Sequence, residues 1–473
     1  MSVDYDLVII GSTIAGIDAA MQAARYKARV VLIEQNCQPR FHWHQAFSNI
    51  GQTLHQIERS NQFKFFDPPL EPGALQLDQV HQWVSAIAQS QREFYAPEKL
   101  AASGIEVVVG SGEFCRKPQA GFRVEGRVFR SRAYLIATDY APTIPEIPGL
   151  CDVPYLTPEV IPTEIPQSLV IIGDDAGGVE LAQLYSRLGS QVTIVLRQPT
   201  LLSIADPEVA FLVQAQLEAE GIRIISAIHI TEILQTQKKK QIRAGDFLIE
   251  ADEILVATGW QHRIDGLNLE AMGVLEPIQL NERLQTRNSH VYWCSHPVSA
   301  IAQCQAYLSV QNALFLPIFT FDHHCVIQSV ATNPELAWVG LTEPQATRKY
   351  RKAALVLRQP FNSLLKAQIT GEITGLCKII VHRDGRILGA HIVGQHTSEL
   401  ISVIALAMRQ NIKIQKFDRL PEMSDNFTAV FRNAAHEWSV WNRSQKPLLQ
   451  DLQESYFAWQ RSRSINITKV RRR

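Results

Sequence analysis

Short, unbroken apolar runs recur along this chain, and each leads through a glycine-bearing turn into apolar positions spaced three and four apart. YDLVIIG passes through GSTIAG into IDAAMQAARYK and on to RVVLIE, and SLVIIGDDAGG passes into VELAQLYSRLG and SQVTIVLR. Such a run predicts a strand covered on both faces, and the spacing after it predicts a helix laid across that strand. Each stretch therefore predicts a βαβ unit. Gly189 stands where the second helix would end in a left-handed cap. β-rich sequence follows each unit and closes in a similar strand and turn, YLIATD at 134 to 139 and EILVATG at 253 to 259. A long insertion at residues 40 to 100 carries a helical stretch, LDQVHQWVSAIAQSQREF, and KKK at 238 to 240 predicts a solvated hairpin tip. From about residue 329 the texture becomes ATNPELAWVGLTEPQA, then CKIIVHRDGRILGAHIVG with a hairpin turn at RDG, then the apolar helix SELISVIALAMRQN.

At 473 residues the chain exceeds one ordinary core and predicts roughly two to four domains. With 46% hydrophobic and 19% charged residues it reads as globular. The 46 Lys and Arg balance 46 Asp and Glu, so no overall field points to nucleic acid. Only SRSINITKVRRR is locally basic, and it reads as a solvated terminus. YDLVIIG follows Met1 without the charged, apolar and cleavage regions of a secretory leader, and LISVIALAM is far too short to span a membrane. The expected location is the cytoplasm. The seven cysteines are scattered without CxxC or CxxxxC spacing and read as buried thiols in a reducing compartment.

The first turn predicts a dinucleotide cradle. Gly11 and Gly16 let the backbone approach a pyrophosphate, and Glu34 ends the second strand where an acid takes the adenosine ribose hydroxyls. Thr13 takes the place of the middle glycine and is small enough to keep part of that approach; Ala15 lies in the same turn. In the second turn Gly173 and Gly178 frame a middle position held by Asp175, with Asp174 beside it. A carboxylate about 4 Å from a pyrophosphate oxygen costs roughly 1 kcal/mol in water-like surroundings and about 4 nearer a protein surface. FHWH at 41 to 44 and DHHC at 322 to 325 are dense in metal-type side chains but lack ligand spacing, and no metal is expected.

The order of these segments resembles the pyridine nucleotide-disulfide oxidoreductases: dihydrolipoamide dehydrogenase, glutathione reductase and mercuric reductase. The resemblance rests on VIIGSTIAGIDAA, IATDYAPTIPEIPG, VIIGDDAGGVELA, EILVATGW, TNPELAWVGLTE and GRILGAHIVG. It implies an α/β fold with two Rossmann-like dinucleotide-binding domains, a split FAD domain and an inserted NAD(P) domain, plus a C-terminal α+β dimerisation domain. The implied boundaries are 1–150 and 276–328 for the FAD domain, 151–275 for the NAD(P) domain, 329–443 for the dimerisation domain and 444–473 for a basic tail. It also implies a homodimer.

Carried onto this chain residue by residue, the resemblance places FAD on Gly11, Thr13, Ala15, Gly16, Glu34, Ala137, Thr138 and His296, and the nicotinamide dinucleotide on Gly173, Gly178, Glu180, Arg197 and Gly259. Glu180 stands where the family has a glutamate near the nicotinamide, and Arg197 favours NADPH over NADH by pairing a 2′-phosphate. Asp139 stands in the first ATG-like turn where the family has glycine. Arg40 and Gln45 fall near the family's two redox cysteines, while Leu420 and Asp425 fall at its His-Glu proton relay. Two expectations follow. In one, an FAD-dependent oxidoreductase takes hydride from NAD(P)H and passes electrons from flavin to a non-disulfide acceptor such as a quinone, with disulfide and mercuric reduction excluded. In the other, the chain is an inactive dimeric scaffold or binding protein.

Overall fold

The computed structural model describes residues 3–35, 43–71, 75–117, 120–160, 163–236, 239–419 and 426–462. The chain divides into two compact units, Met1–Leu336 and Ala337–Arg473.

The first unit opens with β1 (Tyr5–Ile10), α1 (Ile14–Arg25) and β2 (Val30–Glu34). The insertion holds α2 (Trp43–Gln62), α3 (Leu77–Phe94) and α4 (Pro97–Ala102), and α3 coincides with the helix its spacing predicts. β3 (Ile105–Val109), a small antiparallel sheet of β4 (Gly112–Cys115), β5 (Gly121–Val124) and β6 (Arg127–Phe129), then β7 (Ser131–Ile136) and β8 (Tyr140–Pro142) follow. The second βαβ unit runs through β9 (Ser168–Ile172), α5 (Ala176–Arg187), β10 (Gln191–Val195), α6 (Pro207–Ala219) and β11 (Arg223–Ile225). After it come the meander β12 (Ile230–Gln235), β13 (Lys240–Ala244) and β14 (Phe247–Ala251), then β15 (Glu253–Val256) and β16 (Trp260–His262). The chain returns to the first sheet in β17 (Val291–Trp293) and α7 (Ser299–Leu314), and β18 (Gln328–Val330) follows.

Two parallel sheets result, ordered β17-β7-β1-β2-β3 and β11-β10-β9-β15. β1 is apolar throughout because both of its faces are covered. Leu7 and Ile9 pack toward α1 and α7, while Val8 and Ile10 pack toward Phe114, Phe122 and Phe129. The second sheet shares a core with the meander through Val170, Ile172, Ile233, Ile242 and Ile249. Gly189, at φ +96, follows the Leu188 cap of α5 as expected.

Two sequence expectations need correction. Lys240 is not part of a solvated tip: it is 3% exposed, and its Nζ meets Glu253 Oε2 at 2.5 Å. The strand period turns Lys240 inward while Lys239 stays half-exposed, and an acid from β15 satisfies it. The cysteines are not uniformly buried either. Cys115, Cys294 and Cys377 are, but Cys151 and Cys304 are exposed and Cys325 is half-buried.

The second unit begins within β19 (Glu335–Gly340) and contains α8 (Glu343–Tyr350), β20 (Ala354–Pro360), α9 (Leu365–Thr370), β21 (Leu376–His382), β22 (Ile387–Gly394), α10 (Thr397–Arg409), α11 (Ala429–Ser444) and α12 (Pro447–Ser462). β19, β22, β21 and β20 lie side by side in that order. The RDG turn joins β21 to β22, with Gly385 at φ +91. α10 buries Leu400, Ile401 and Ile404 and leaves Val403 and Leu406 exposed.

Candidate functional site

The two glycine turns are built alike. Gly11 adopts φ +109, and a Cβ there would lie 2.3 Å from the Ala137 carbonyl oxygen. At Gly16 a Cβ would lie 2.2 Å from the Gly11 oxygen. In the second turn, Gly173 at φ +103 stands in the same relation to the Ala257 oxygen, and a Cβ at Gly178 would strike the Ala257 Cβ at 2.4 Å. These four glycines press each helix against the strand end across from it. Side chains of any size would wedge the turn open.

The middle positions cap the helices. Thr13 Oγ1 accepts the Gly16 amide at 3.2 Å and donates to the Ala137 carbonyl at 2.9 Å. Its hydroxyl thus ties the start of α1 to the end of β7. Asp175 caps α5: Oδ2 accepts the Gly177 amide at 3.3 Å and the Trp260 indole N–H at 3.0 Å, and the Asp175 amide donates to the Ala257 carbonyl. A carboxylate at a helix N-terminus is stabilised by the unpaired amides and the helix dipole, the same field that attracts a phosphate. Burial pushes the neighbouring Asp174 carboxyl up, and backbone hydrogen bonds to Leu202 and Ser203 pull the other way.

Around the first turn, Ala15 is buried in the first turn of α1, Ala137 is buried at the end of β7, and Glu34 is half-buried at the end of β2. Thr138 is buried, and its Oγ1 has no hydrogen-bond partner among the described residues. Ser295 Oγ donates to the Thr138 carbonyl at 2.6 Å. His296 turns its Nδ1 onto the Val298 amide at 3.0 Å, closing the turn before α7. Next to this turn His262 lies 4.5 Å from the Tyr140 ring and edge-on to Trp293 at 4.8 Å. Burial pushes the His262 imidazole down and the Tyr140 phenol up, so both are held neutral.

Around the second turn, Gly259 at φ +105 faces open space and Arg197 is exposed beyond β10. Glu180 is buried on α5, and its Oε1 accepts the Ala331 amide at 2.8 Å. Two further residues of the same helix face grip the same segment. Gln183 exchanges hydrogen bonds with the Asn333 backbone at 2.7 Å in both directions, and Arg187 donates to the Asn333 carbonyl at 3.3 Å while forking onto Glu220 at 2.8 and 2.9 Å. Gly51 of α2 abuts Leu184 and Arg187. This clamp was missed by sequence reasoning, although the spacing of Glu180, Gln183 and Arg187 puts all three on one helical face. Trp260, which answers Asp175, was missed as well.

Arg40, Phe41, His42, Leu420 and Asp425 lie outside the described residues, as do the side chains of His44, Gln45 and His323. No helix is long and apolar enough to cross a membrane among the described residues.

The pattern that defines the pyridine nucleotide-disulphide oxidoreductases matches residues 5–306, and that of their dimerisation domain matches residues 326–430. Mercuric reductase of Staphylococcus aureus is 29% identical over 451 residues, covering 90% of this chain and 79% of that protein. Dihydrolipoyl dehydrogenase of Bacillus subtilis is 30% identical over 433 residues, covering 85% of this chain and 92% of that protein. The HOCl-induced flavoprotein disulfide reductase RclA of Escherichia coli shares the fold at a TM-score of 0.78 and 22% identity, over 91% of this chain and 99% of its own. These likenesses overturn the expectation that disulfide and mercuric reduction are excluded. That expectation rested on a few positions in a gapped register, whereas the similarity to mercuric, lipoyl and glutathione reductases runs along most of the chain and points to disulfide-type reductases.

Proposed function

Because this chain belongs to the pyridine nucleotide-disulphide oxidoreductase family, an FAD-dependent family that uses NAD(P)H, we propose that it is a homodimeric flavoprotein that passes electrons from NAD(P)H through FAD to its acceptor, with a quinone among the acceptors it takes. The reading for FAD is carried by the first turn. Gly11 and Gly16 let the start of α1 close onto the end of β7, which sets the helix N-terminus at the turn, Glu34 offers a carboxylate at the strand end, and the buried Thr138 hydroxyl has hydrogen-bonding capacity to give. When bound, FAD supplies the two-electron chemistry, and the residues around it hold and orient it.

The nicotinamide half fits on one condition. A pyrophosphate at the N-terminus of α5 needs the amide that Asp175 already caps, so the carboxylate must swing away from Gly177 and Trp260. Arg197 then offers a cation to a 2′-phosphate. The same contacts favour a second reading, a dimeric binding protein that keeps its flavin fold without turnover.

The absorption spectrum of the purified protein, recorded before and after anaerobic NADPH, tests the proposal, with a quinone, lipoamide and mercuric ion then added as separate acceptors. Flavin bands that bleach with NADPH and return with quinone are expected. No flavin after reconstitution defeats the cofactor reading; return only with lipoamide or mercuric ion defeats the quinone reading; bound flavin that no nucleotide bleaches supports the binding protein.

A further inference from the structure

The second sheet runs β11-β10-β9-β15, so β9 has β10 on one side and β15 on the other, all parallel. A ligand of such a sheet lies in the crevice outside the carboxyl ends of its strands. The chain leaving β9 enters that crevice as Asp174 and Asp175, and the two side chains reach toward different neighbours. Asp174 accepts the backbone amides of Leu202 and Ser203, in the segment that follows β10. Asp175 Oδ2 accepts the indole N–H of Trp260, in the segment that follows β15, at 3.0 Å. The turn is therefore strapped on both sides.

The arm at Leu202 is built to hold an anion. Leu202 is 2% exposed and adopts φ +50, a left-handed conformation that is rare for a bulky side chain. Successive amides beside a left-handed residue point into one concavity, which suits a negative charge. Asp174 occupies it although half-buried, with burial pushing its carboxyl up. The consecutive carboxylates thus fill two anion seats, one on this amide pair and one at the N-terminus of α5. A pyrophosphate entering the crevice meets both charges at once.

We propose that Asp174 and Asp175 form a two-armed latch that keeps the nicotinamide half closed at rest, tying the segments after β10 and β15 across the second turn until a dinucleotide displaces both carboxylates. The proposal rests on the reading that this turn takes the nicotinamide dinucleotide. With the open form in the minority, the apparent affinity falls by the fraction open.

Calorimetric titration with NADPH of the unmodified protein, Asp174→Ala, Asp175→Gly and the double variant tests the latch, together with hydrogen exchange of residues 197–206 in the nucleotide-free proteins. Asp174→Ala should bind NADPH about tenfold more tightly than the unmodified protein, the worth of one charge-assisted arm, and the double variant more tightly than either single one. Exchange at the Leu202 and Ser203 amides should speed up in Asp174→Ala, where they lose their acceptor. Asp174→Asn leaves a neutral acceptor in place and should give a smaller gain in the same direction. Unchanged exchange at both amides in Asp174→Ala, or a gain from Asp175→Gly that Asp174→Ala neither shares nor adds to, would overturn the latch and leave the nucleotide site standing. No binding of NADPH or NADH by any of these proteins would remove the nucleotide site, and the latch with it.

Discussion

Trp260 donates its indole N–H to the same Asp175 oxygen that caps Gly177, so a residue beyond β15 holds the middle of the second glycine turn closed. The two aspartates of GDDAGG are thus accommodated by hydrogen bonds inside the fold. The carboxylate stands where helix and turn together favour an anion, and a dinucleotide at this turn, as proposed, would have to displace it.

Asp175→Gly should therefore bind NADPH about tenfold more tightly or better, the affinity equivalent of removing roughly 1 to 4 kcal/mol of repulsion. Calorimetric titration of the two proteins decides it. Equal affinities would mean that the carboxylate leaves the turn without cost.

Thr138→Val should lower the FAD content of the purified protein and leave the melting temperature of the flavin-free form unchanged or higher. A buried hydroxyl without a partner gives the empty fold no net stability, and an isosteric methyl removes about 1 kcal/mol or more of desolvation cost. Unchanged flavin content would show that this hydroxyl is not part of the cradle.

Glu34→Ala should lose more flavin than His296→Ala. A carboxylate accepts from both ribose hydroxyls in charge-assisted bonds, whereas His296 already spends Nδ1 on the Val298 amide. Flavin content measured by absorbance after gel filtration checks the order, and the reverse order would move the ribose contact away from β2.

Arg187→Ala should destabilise the first unit by about 3 to 5 kcal/mol, because it leaves the largely buried Glu220 carboxylate without its cation. Denaturant unfolding measures this. A loss below about 1 kcal/mol would mean that water replaces the guanidinium.

The βαβ units could be read from sequence because their evidence is local: apolar runs, turn glycines and helical spacing lie within about thirty residues. Partners supplied from a distance were not legible. Nothing near Asp175 announces Trp260, 85 residues on, and nothing near Glu180 announces the Ala331 amide 151 residues away. Lys240 was misread for the same reason: KKK looks solvated until Glu253 is brought beneath its third member. Thr13 shows the intermediate case. Its size was readable, but its bond to the Ala137 carbonyl depends on β7 lying beside β1.

The chain leaves the first sheet through β8 and comes back through β16, and these two short strands pair antiparallel with Pro142 opposite Trp260. Residues 143–259 therefore depart and re-enter at neighbouring points, about 5 Å apart as paired strands are. The nicotinamide half is in this sense a cassette: a tight turn across that ladder could close the flavin half without it. Such a junction keeps the packing around Asp175 separate from the sheet of β1, β2 and β7.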